Sequence, residues 1–235
     1  MDLGLDGKRA LVTGSTAGIG LAAARALAAE GASVTVNGRT AQRVSQAVKQ
    51  LKGEVAGARV QGIAADLSGA AGCADLVRQL PLVDILVNNL GIFEPNPFEQ
   101  IIDADWFRFF ETNVLSGVRL SRHYIPAMRE RNWGRVVFVS SESAVQIPAE
   151  MIHYGMTKTA QLAVARGLAE SLVGTGVTVN SVLPGPTASE GVGEFVTRLA
   201  DERGVDRATV EREFLLRRAR PRFSSVSRHR MRWRR

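Results

Sequence analysis

The sequence has little of what would place it among secreted, membrane or metal proteins. Cys73 is its only cysteine, so no disulfide can close within the chain and nothing points to an oxidising compartment. None of its histidines, His123, His153 and His229, stands in a ligand pattern with cysteine or carboxylate. No apolar run is long enough to span a bilayer, and Met1 leads almost directly into the β-like Arg9-Ala10-Leu11-Val12 without a basic-then-apolar leader. The expectation is a cytoplasmic protein without a membrane anchor. A length of 235 residues suits one sizeable α/β domain and is short for two.

Acid is missing from the last nineteen residues, which carry nine arginines and no Asp, Glu or Lys. Those arginines exceed the net charge of the whole chain, +7, so residues 1–216 are mildly acidic. A basic total normally suggests nucleic acid or an anionic surface. Here that inference applies to the tail alone.

What is present is alternation. Apolar, β-branched runs alternate with longer Ala/Leu-rich stretches. The pattern predicts strands at Arg9–Val12, Ser33–Val36, Ala58–Ala65, Val83–Val87, Arg135–Val139 and Val177–Leu183. It predicts helices at Leu21–Glu30, with Gly31 as C-cap, and at Gln42–Leu51, Asp75–Gln79 and Ile152–Leu172. A long helix over Asp105–Arg131, bent near Pro126, completes the set. Strands alternating with helices imply a doubly wound parallel sheet in three α/β/α layers.

Thr13-Gly14-Ser15-Thr16-Ala17-Gly18-Ile19-Gly20 follows the first strand and opens the first helix. Glycines there let the backbone approach a pyrophosphate, and the helix N-terminus supplies free N–H groups. The bland alternative is a glycine-rich turn that binds nothing. The second strand ends Val36-Asn37-Gly38-Arg39-Thr40, without the carboxylate that often binds a ribose 2′-hydroxyl. Arg39 can instead pair with a 2′-phosphate, which favours NADP(H), with NAD(H) as the alternative. A solvated loop charge is the competing reading of Arg39.

Tyr154 and Lys158, at i and i+4, share one helix face. An ammonium beside a phenol favours the phenolate, so the pair can exchange a proton with a substrate oxygen. Alone, the same spacing also describes a surface pair. Ser141 sits at the carboxyl end of the fifth strand, where ligands of open α/β sheets bind. Glu142 beside it can face a substrate. His153 reads as structural, and Trp106, Phe107, Phe109 and Phe110 as core or subunit-packing residues.

Taken in order, these motifs resemble the short-chain dehydrogenase/reductase family, in its short single-domain branch, over about residues 5–190. Thr13–Gly20 is similar to the family's cofactor loop, placing Gly14, Ser15, Gly18, Ile19 and Gly20 at the nucleotide. Asp66 and Leu67 resemble the segment that contacts adenine. Asn88-Asn89-Leu90-Gly91 resembles the family's Asn-Asn-Ala-Gly, with Asn89 and Gly91 beside the cofactor. Asn113 resembles the helix asparagine that holds a proton-relay water, and Ser141, Tyr154 and Lys158 resemble the catalytic serine, tyrosine and lysine. Pro184-Gly185 resembles the nicotinamide-side loop, with Thr187 or Ser189 at the carboxamide. The resemblance implies a Rossmann-like fold and hydride transfer between nicotinamide and a carbonyl or secondary alcohol, of a 3-oxoacyl-thioester or general ketone. In it Tyr154 is the acid in reduction and the base in oxidation. Lys158 lowers its pKa and binds ribose, and Ser141 orients the substrate oxygen. It also implies a homo-oligomer, dimer or tetramer. Two departures stand out: Leu90 replaces an alanine, and Ala17 stands where many NADP-using members carry a basic residue.

The domain expected on this basis is 1–216, with a substrate lid at about 186–215 and an Arg-rich, disordered tail at 217–235. The family's final helix and strand are missing from the tail, which leaves the sixth strand as a sheet edge. Three readings of the tail remain: a shifted reading frame, favoured by its composition; a basic arm for nucleic acid or an acidic partner; and a solvated end. Function divides likewise, in order of preference, into an active reductase or dehydrogenase, a cofactor-binding protein without turnover, and a protein that binds partners through the tail. A small-molecule substrate is the expected partner, nucleic acid is not, and no membrane is.

Overall fold

The computed structural model describes residues 3–185, 187, 193, 197, 200, 201, 204–206 and 208–210. The chain divides into two units, Met1–Thr187 and Ala188–Arg235. That division precedes the boundary at 216 suggested by composition, because charge marks the tail whereas packing density marks the end of the sheet-bearing part. Ser189, most of the lid at 186–215 and all of the tail at 217–235 lie outside the described residues.

The first unit alternates strand and helix. Its strands are β1 (Arg9–Val12), β2 (Ser33–Gly38), β3 (Val60–Ala64), β4 (Ile85–Asn88), β5 (Gly134–Val139) and β6 (Val177–Val182). Its helices are α1 (Gly18–Ala29), α2 (Ala41–Glu54), α3 (Ala70–Gln79), α4 (Asp103–Phe110), α5 (Ser116–Glu130) and α6 (Ile152–Ser171). The strands pair in parallel in the order β3-β2-β1-β4-β5-β6. The chain winds outward from β1 to β3, then restarts at β4 on the other side of β1. The crevice beyond the carboxyl ends of β1 and β4 is therefore the switch point where such sheets take ligands.

Side-chain alternation along the strands builds a core on each face. Leu11, Leu86, Val136 and Phe138 pack on one face with Leu76 of α3, Leu120, Tyr124 and Met128 of α5, and Ala165 of α6. Ala10, Val12, Ile85 and Val87 point the other way, against Ala24 and Ala28 of α1 and Val44, Ala47 and Leu51 of α2. This is the doubly wound, three-layer arrangement, and burial on both faces explains why β1 and β4 read as continuous apolar runs. At the end of the sheet away from the crevice, Asp84 accepts hydrogen bonds from the Arg9 main chain and guanidinium and from Arg131. Among the described residues the sheet has six strands, and β6 is an edge paired only with β5.

Gly31 ends α1 at φ +84°, where the Ala32 N–H returns to the Leu27 carbonyl. Thr40 caps α2 by accepting from the Arg43 N–H. The long helix expected over 105–131 is one helical run over 103–130 whose hydrogen-bonding pattern changes midway. Between α4 and α5, Glu111–Leu115 forms a wider, π-helical turn, and Pro126 lies inside α5. The interruption falls where Asn113 bonds to the chain beyond β4, and hydrophobic periodicity carries no signal for such a turn. Phe109 of α4 is fully buried against His153, at 4.1 Å between ring centroids, whereas Phe107 and Phe110 are exposed.

Candidate active site

The loop after β1 is held from beneath by buried polar groups. The Ser15 hydroxyl donates to the Val12 carbonyl (2.6 Å) and accepts from the Asn37 N–H (3.0 Å). Ser15 is fully buried, so its side chain shapes the loop and its hydroxyl is committed within the protein. Asn37, also buried, accepts from the Gly14 N–H and donates to the Ile63 and Ala65 carbonyls, tying the loop to β2 and β3. Asn37 was legible only as an asparagine in a strand, a residue type depleted there. Thr13 and Asn89 close the other side. The Thr13 hydroxyl accepts from the Asn89 and Leu90 N–H groups, and Asn89 Nδ2 donates to the Thr13 and Gly14 carbonyls.

The surface above this scaffold is bare backbone. Gly14 and Gly18 have φ of +57° and +56°, a conformation that favours glycine. The helix α1 begins after Ala17, which offers no side-chain cap, and its first turn has no acid. Its first N–H groups thus lack the partners that capping residues supply elsewhere. A Cβ on Gly20 would lie 2.5 Å from Asn89 Nδ2 and 2.6 Å from the Gly14 carbonyl. Gly20→Ala is therefore expected to displace the Asn89 amide and destabilise the protein by about 1–3 kcal/mol, the usual cost of overpacking. Thermal melting of the variant beside the wild type checks this, and equal midpoints would show that the loop yields freely.

Arg39, at the end of β2, is exposed with no carboxylate in ion-pair range among the described residues. Asp66 is exposed and turns back on the Ser68 N–H (3.0 Å). Leu67 is 1% exposed in the core, so only its backbone is free to meet a ligand. Ile19 packs partly against the core under α1 and α2. Leu90 turns its bulk to the core on the other face, which answers the departure from alanine noted in the sequence.

Beyond β4 and β5 the polar side chains converge. Asn113, 1% exposed, donates to the Ile92 carbonyl and the Thr157 hydroxyl, both at 3.0 Å, and accepts from the Ile92 N–H at 2.7 Å. Ser141 begins a short turn in which its hydroxyl accepts from the Ser143 N–H, and it is close enough to Tyr154 to affect the phenol's ionisation. The Tyr154 ring stands edge-on to Phe93. Lys158 is 4% exposed, and its Nζ donates to the Val139 carbonyl (3.0 Å) and to Gln161 Oε1 (3.2 Å). Gly91 faces this group: a Cβ there would lie 3.3 Å from Lys158 Nζ. The Pro184 carbonyl accepts from the Glu142 N–H, and a Cβ on Gly185 would meet the Glu142 carboxylate at 3.2 Å. Thr187 is exposed, its hydroxyl bonded to the Gly185 carbonyl.

Electrostatics differ from the simple reading of the Tyr154/Lys158 spacing. Burial raises the phenol of Tyr154 above its ordinary range, and Ser141 only partly opposes it. Burial lowers Lys158 to about 8. Desolvation is the largest influence on the phenol, and Tyr154 rests protonated. His153, sealed against Phe109 and Trp106, is held below its ordinary pKa by burial, in keeping with a structural role.

Gln161 is the site residue that the sequence reading missed. It lies one turn beyond Lys158 on α6, 1% exposed, and its spacing from Lys158 was the only available signal. Among the described residues no group of three His, Cys, Asp or Glu is placed to hold a metal, and no helix is long and apolar enough to cross a membrane.

Fold and site together define a doubly wound α/β protein with a candidate site at its switch point, and comparison with known proteins gives the class. The family described as short chain dehydrogenase matches residues 8–199. The uncharacterised oxidoreductase YvaG of Bacillus subtilis is 52% identical over 199 residues, 85% of this chain and 75% of that protein. D-β-hydroxybutyrate dehydrogenase of Cupriavidus necator is 34% identical, over 90% of this chain and 83% of its own. The crystal structure of L-sorbose reductase from Gluconobacter frateurii, complexed with NADPH and L-sorbose, superimposes with a TM-score of 0.84 at 32% identity, covering 89% of this chain and 81% of that one. The chain belongs to the short-chain dehydrogenase/reductase family, whose members are oxidoreductases acting on CH–OH and C=O groups.

Proposed function

We propose that this protein is an NADP(H)-dependent reductase or dehydrogenase in which Tyr154 exchanges a proton with the oxygen of a carbonyl or secondary alcohol substrate. The observation that carries this reading is the convergence of the Ser141 and Tyr154 hydroxyls with a buried Lys158 beside a cradle of bare backbone. That cradle fits a dinucleotide. The positive φ of Gly14 and Gly18, the uncapped start of α1, and the room left by Gly91 are what a pyrophosphate and ribose require. Gly14, Gly18, Ile19, Gly20, Asn89, Gly91, Pro184, Gly185 and Thr187 would line it, with Asp66 and the Leu67 backbone at the adenine end.

When bound, the nicotinamide supplies or accepts the hydride. The remaining work falls to this chain. The protonated phenol of Tyr154 donates to the substrate oxygen in reduction. Ser141 accepts from the Ser143 N–H, which leaves its own proton to hold the same oxygen. The Lys158 ammonium stabilises negative charge as it develops on the phenolate. Asn113 ties α4 and α5 to Ile92 and to α6, which fixes the distance between these groups.

Arg39 is assigned to the 2′-phosphate, and the NADPH complex of L-sorbose reductase supports the same cofactor. Fluorescence titration tests this. NADPH is expected to bind more tightly than NADH, and Arg39→Ala to weaken NADPH by about tenfold to a hundredfold while sparing NADH, the worth of a charge-assisted hydrogen bond. Binding of neither nucleotide would refute the proposal. Oxidation of NADPH across 3-oxoacyl thioesters and simple ketones then identifies the substrate class. The names of the relatives add a 3-hydroxy acid and a ketose to that screen. Tight NADPH binding without turnover on any of these would favour the second reading, a cofactor-binding protein without turnover.

A further inference from the structure

We infer that Gln161 is a positioning residue for the proton-transfer pair, its side-chain amide bridging the Lys158 ammonium and the Asn113 main-chain carbonyl and locking the ammonium in place. The inference rests on the reading of Tyr154 and Lys158 as that pair. Gln161 Oε1 accepts from Lys158 Nζ at 3.2 Å, and Gln161 Nε2 donates to the Asn113 carbonyl at 2.5 Å. The amide cannot be turned around: its NH2 would then oppose the ammonium and its oxygen the carbonyl. The π-helical turn prepares the far end. Carbonyls there take side-chain donors, Thr112 O from the Ser116 hydroxyl and Asn113 O from Gln161.

The consequence for Lys158 is geometric. An ammonium has three hydrogens. The Val139 carbonyl and Gln161 take two, which leaves the third for the cleft opened by Gly91. The neighbours that face Lys158 from the packed elements are uncharged: the Val139 carbonyl from β5, Gly91 from beyond β4, and Asn113 from the π-helical turn. Tyr154, on its own helix, is the one titratable group beside it among the described residues. Gln161 is thus the side chain that supports the charged form. A carboxamide accepts at one end and donates at the other without passing a proton along.

The test follows Lys158 directly. The chain has only Lys8, Lys49, Lys52 and Lys158, so ¹³Cε-lysine NMR resolves each, with Lys158→Met as assignment control. The pH midpoint of Lys158 is expected to fall by about one unit in Gln161→Leu, which removes the acceptor, and to rise in Gln161→Glu, which places a carboxylate there. In NADPH-linked turnover kcat is expected to drop about tenfold in Gln161→Leu with KM nearly constant, and its pH profile to move with the NMR midpoint. Thermal melts confirm folding, and Gln161→Glu carries the test if the leucine variant does not fold. Coincident midpoints in the three proteins would overturn the inference, as would a loss of kcat with an unmoved midpoint. Shifted midpoints in the two variants, beside a wild type that turns over no carbonyl, would sustain the Gln161 bridge and favour the cofactor-binding reading without turnover.

Discussion

Tyr154→Phe is expected to keep the fold and NADPH binding and to reduce turnover by about 10²–10⁴, the range for loss of a general acid. The substitution removes one oxygen and keeps the ring that stands against Phe93. On the proposed reading the phenol meets the substrate oxygen together with Ser141, so no neighbour inherits its proton. Ser141→Ala removes a hydrogen bond to the same oxygen but no transferable proton, and its loss is expected to be smaller. The pH dependence follows from burial, which raises the Tyr154 pKa. An acid must be protonated to act, so reduction should be level through neutral pH and fall only in the alkaline range. Oxidation needs the phenolate and should climb over that range. Steady-state rates in both directions, with NADPH titrations of each variant, check the set. A Phe variant within a few-fold of wild type would assign the proton to another donor.

The site was legible in the sequence where chemistry is written in local order. The glycine loop after β1, Ser141 at the end of β5 and Tyr154/Lys158 on one helix face all follow from strand-then-helix order and i,i+4 spacing. Their meeting follows from a parallel sheet, which brings every strand's carboxyl end to one side. Orientation was not legible. Ser15 and Leu67 sit in motif positions, yet both turn inward, Ser15 because its hydroxyl bonds to Val12 and Asn37 and Leu67 because it continues the core face of Ile63 and Ala65. The π-helical turn at Asn113 leaves no periodic trace, since one extra residue in a turn shifts the phase without changing composition. Gln161 is polar on a helix face that the sequence does not mark as buried, and only tertiary packing brings it to Lys158 and Asn113. The direction of the Tyr154 shift was missed for the same reason: the spacing shows the ammonium and not the burial that raises the phenol.

Lys158 supplies the other large effect. Its folded pKa, lowered to about 8 from 10.5, means that the folded state binds this proton less well than the unfolded chain does. Below pH about 8 both states are charged, and the fold carries the full penalty. Between about 8 and 10.5 the folded protein gives up the proton first, so stability rises with pH; above that window both states are neutral and the penalty is gone. The penalty corresponds to about 3 kcal/mol from the shift alone. Lys158→Met never carries it. The variant should therefore gain relative to wild type at neutral pH, and that advantage should shrink by on the order of 6–12 °C in melting temperature as pH rises from 7 to 10.5. The two hydrogen bonds lost with the ammonium, each worth about 1 kcal/mol, offset the comparison by a constant and leave its slope unchanged. Groups common to both proteins cancel in the difference. Parallel melting curves across this range would show that Lys158 titrates normally in the fold and that burial does not govern it. Converging curves, together with lost turnover in the variant, would show a buried charge that weakens the fold at neutral pH and whose return is the stabilisation of the Tyr154 phenolate as it forms.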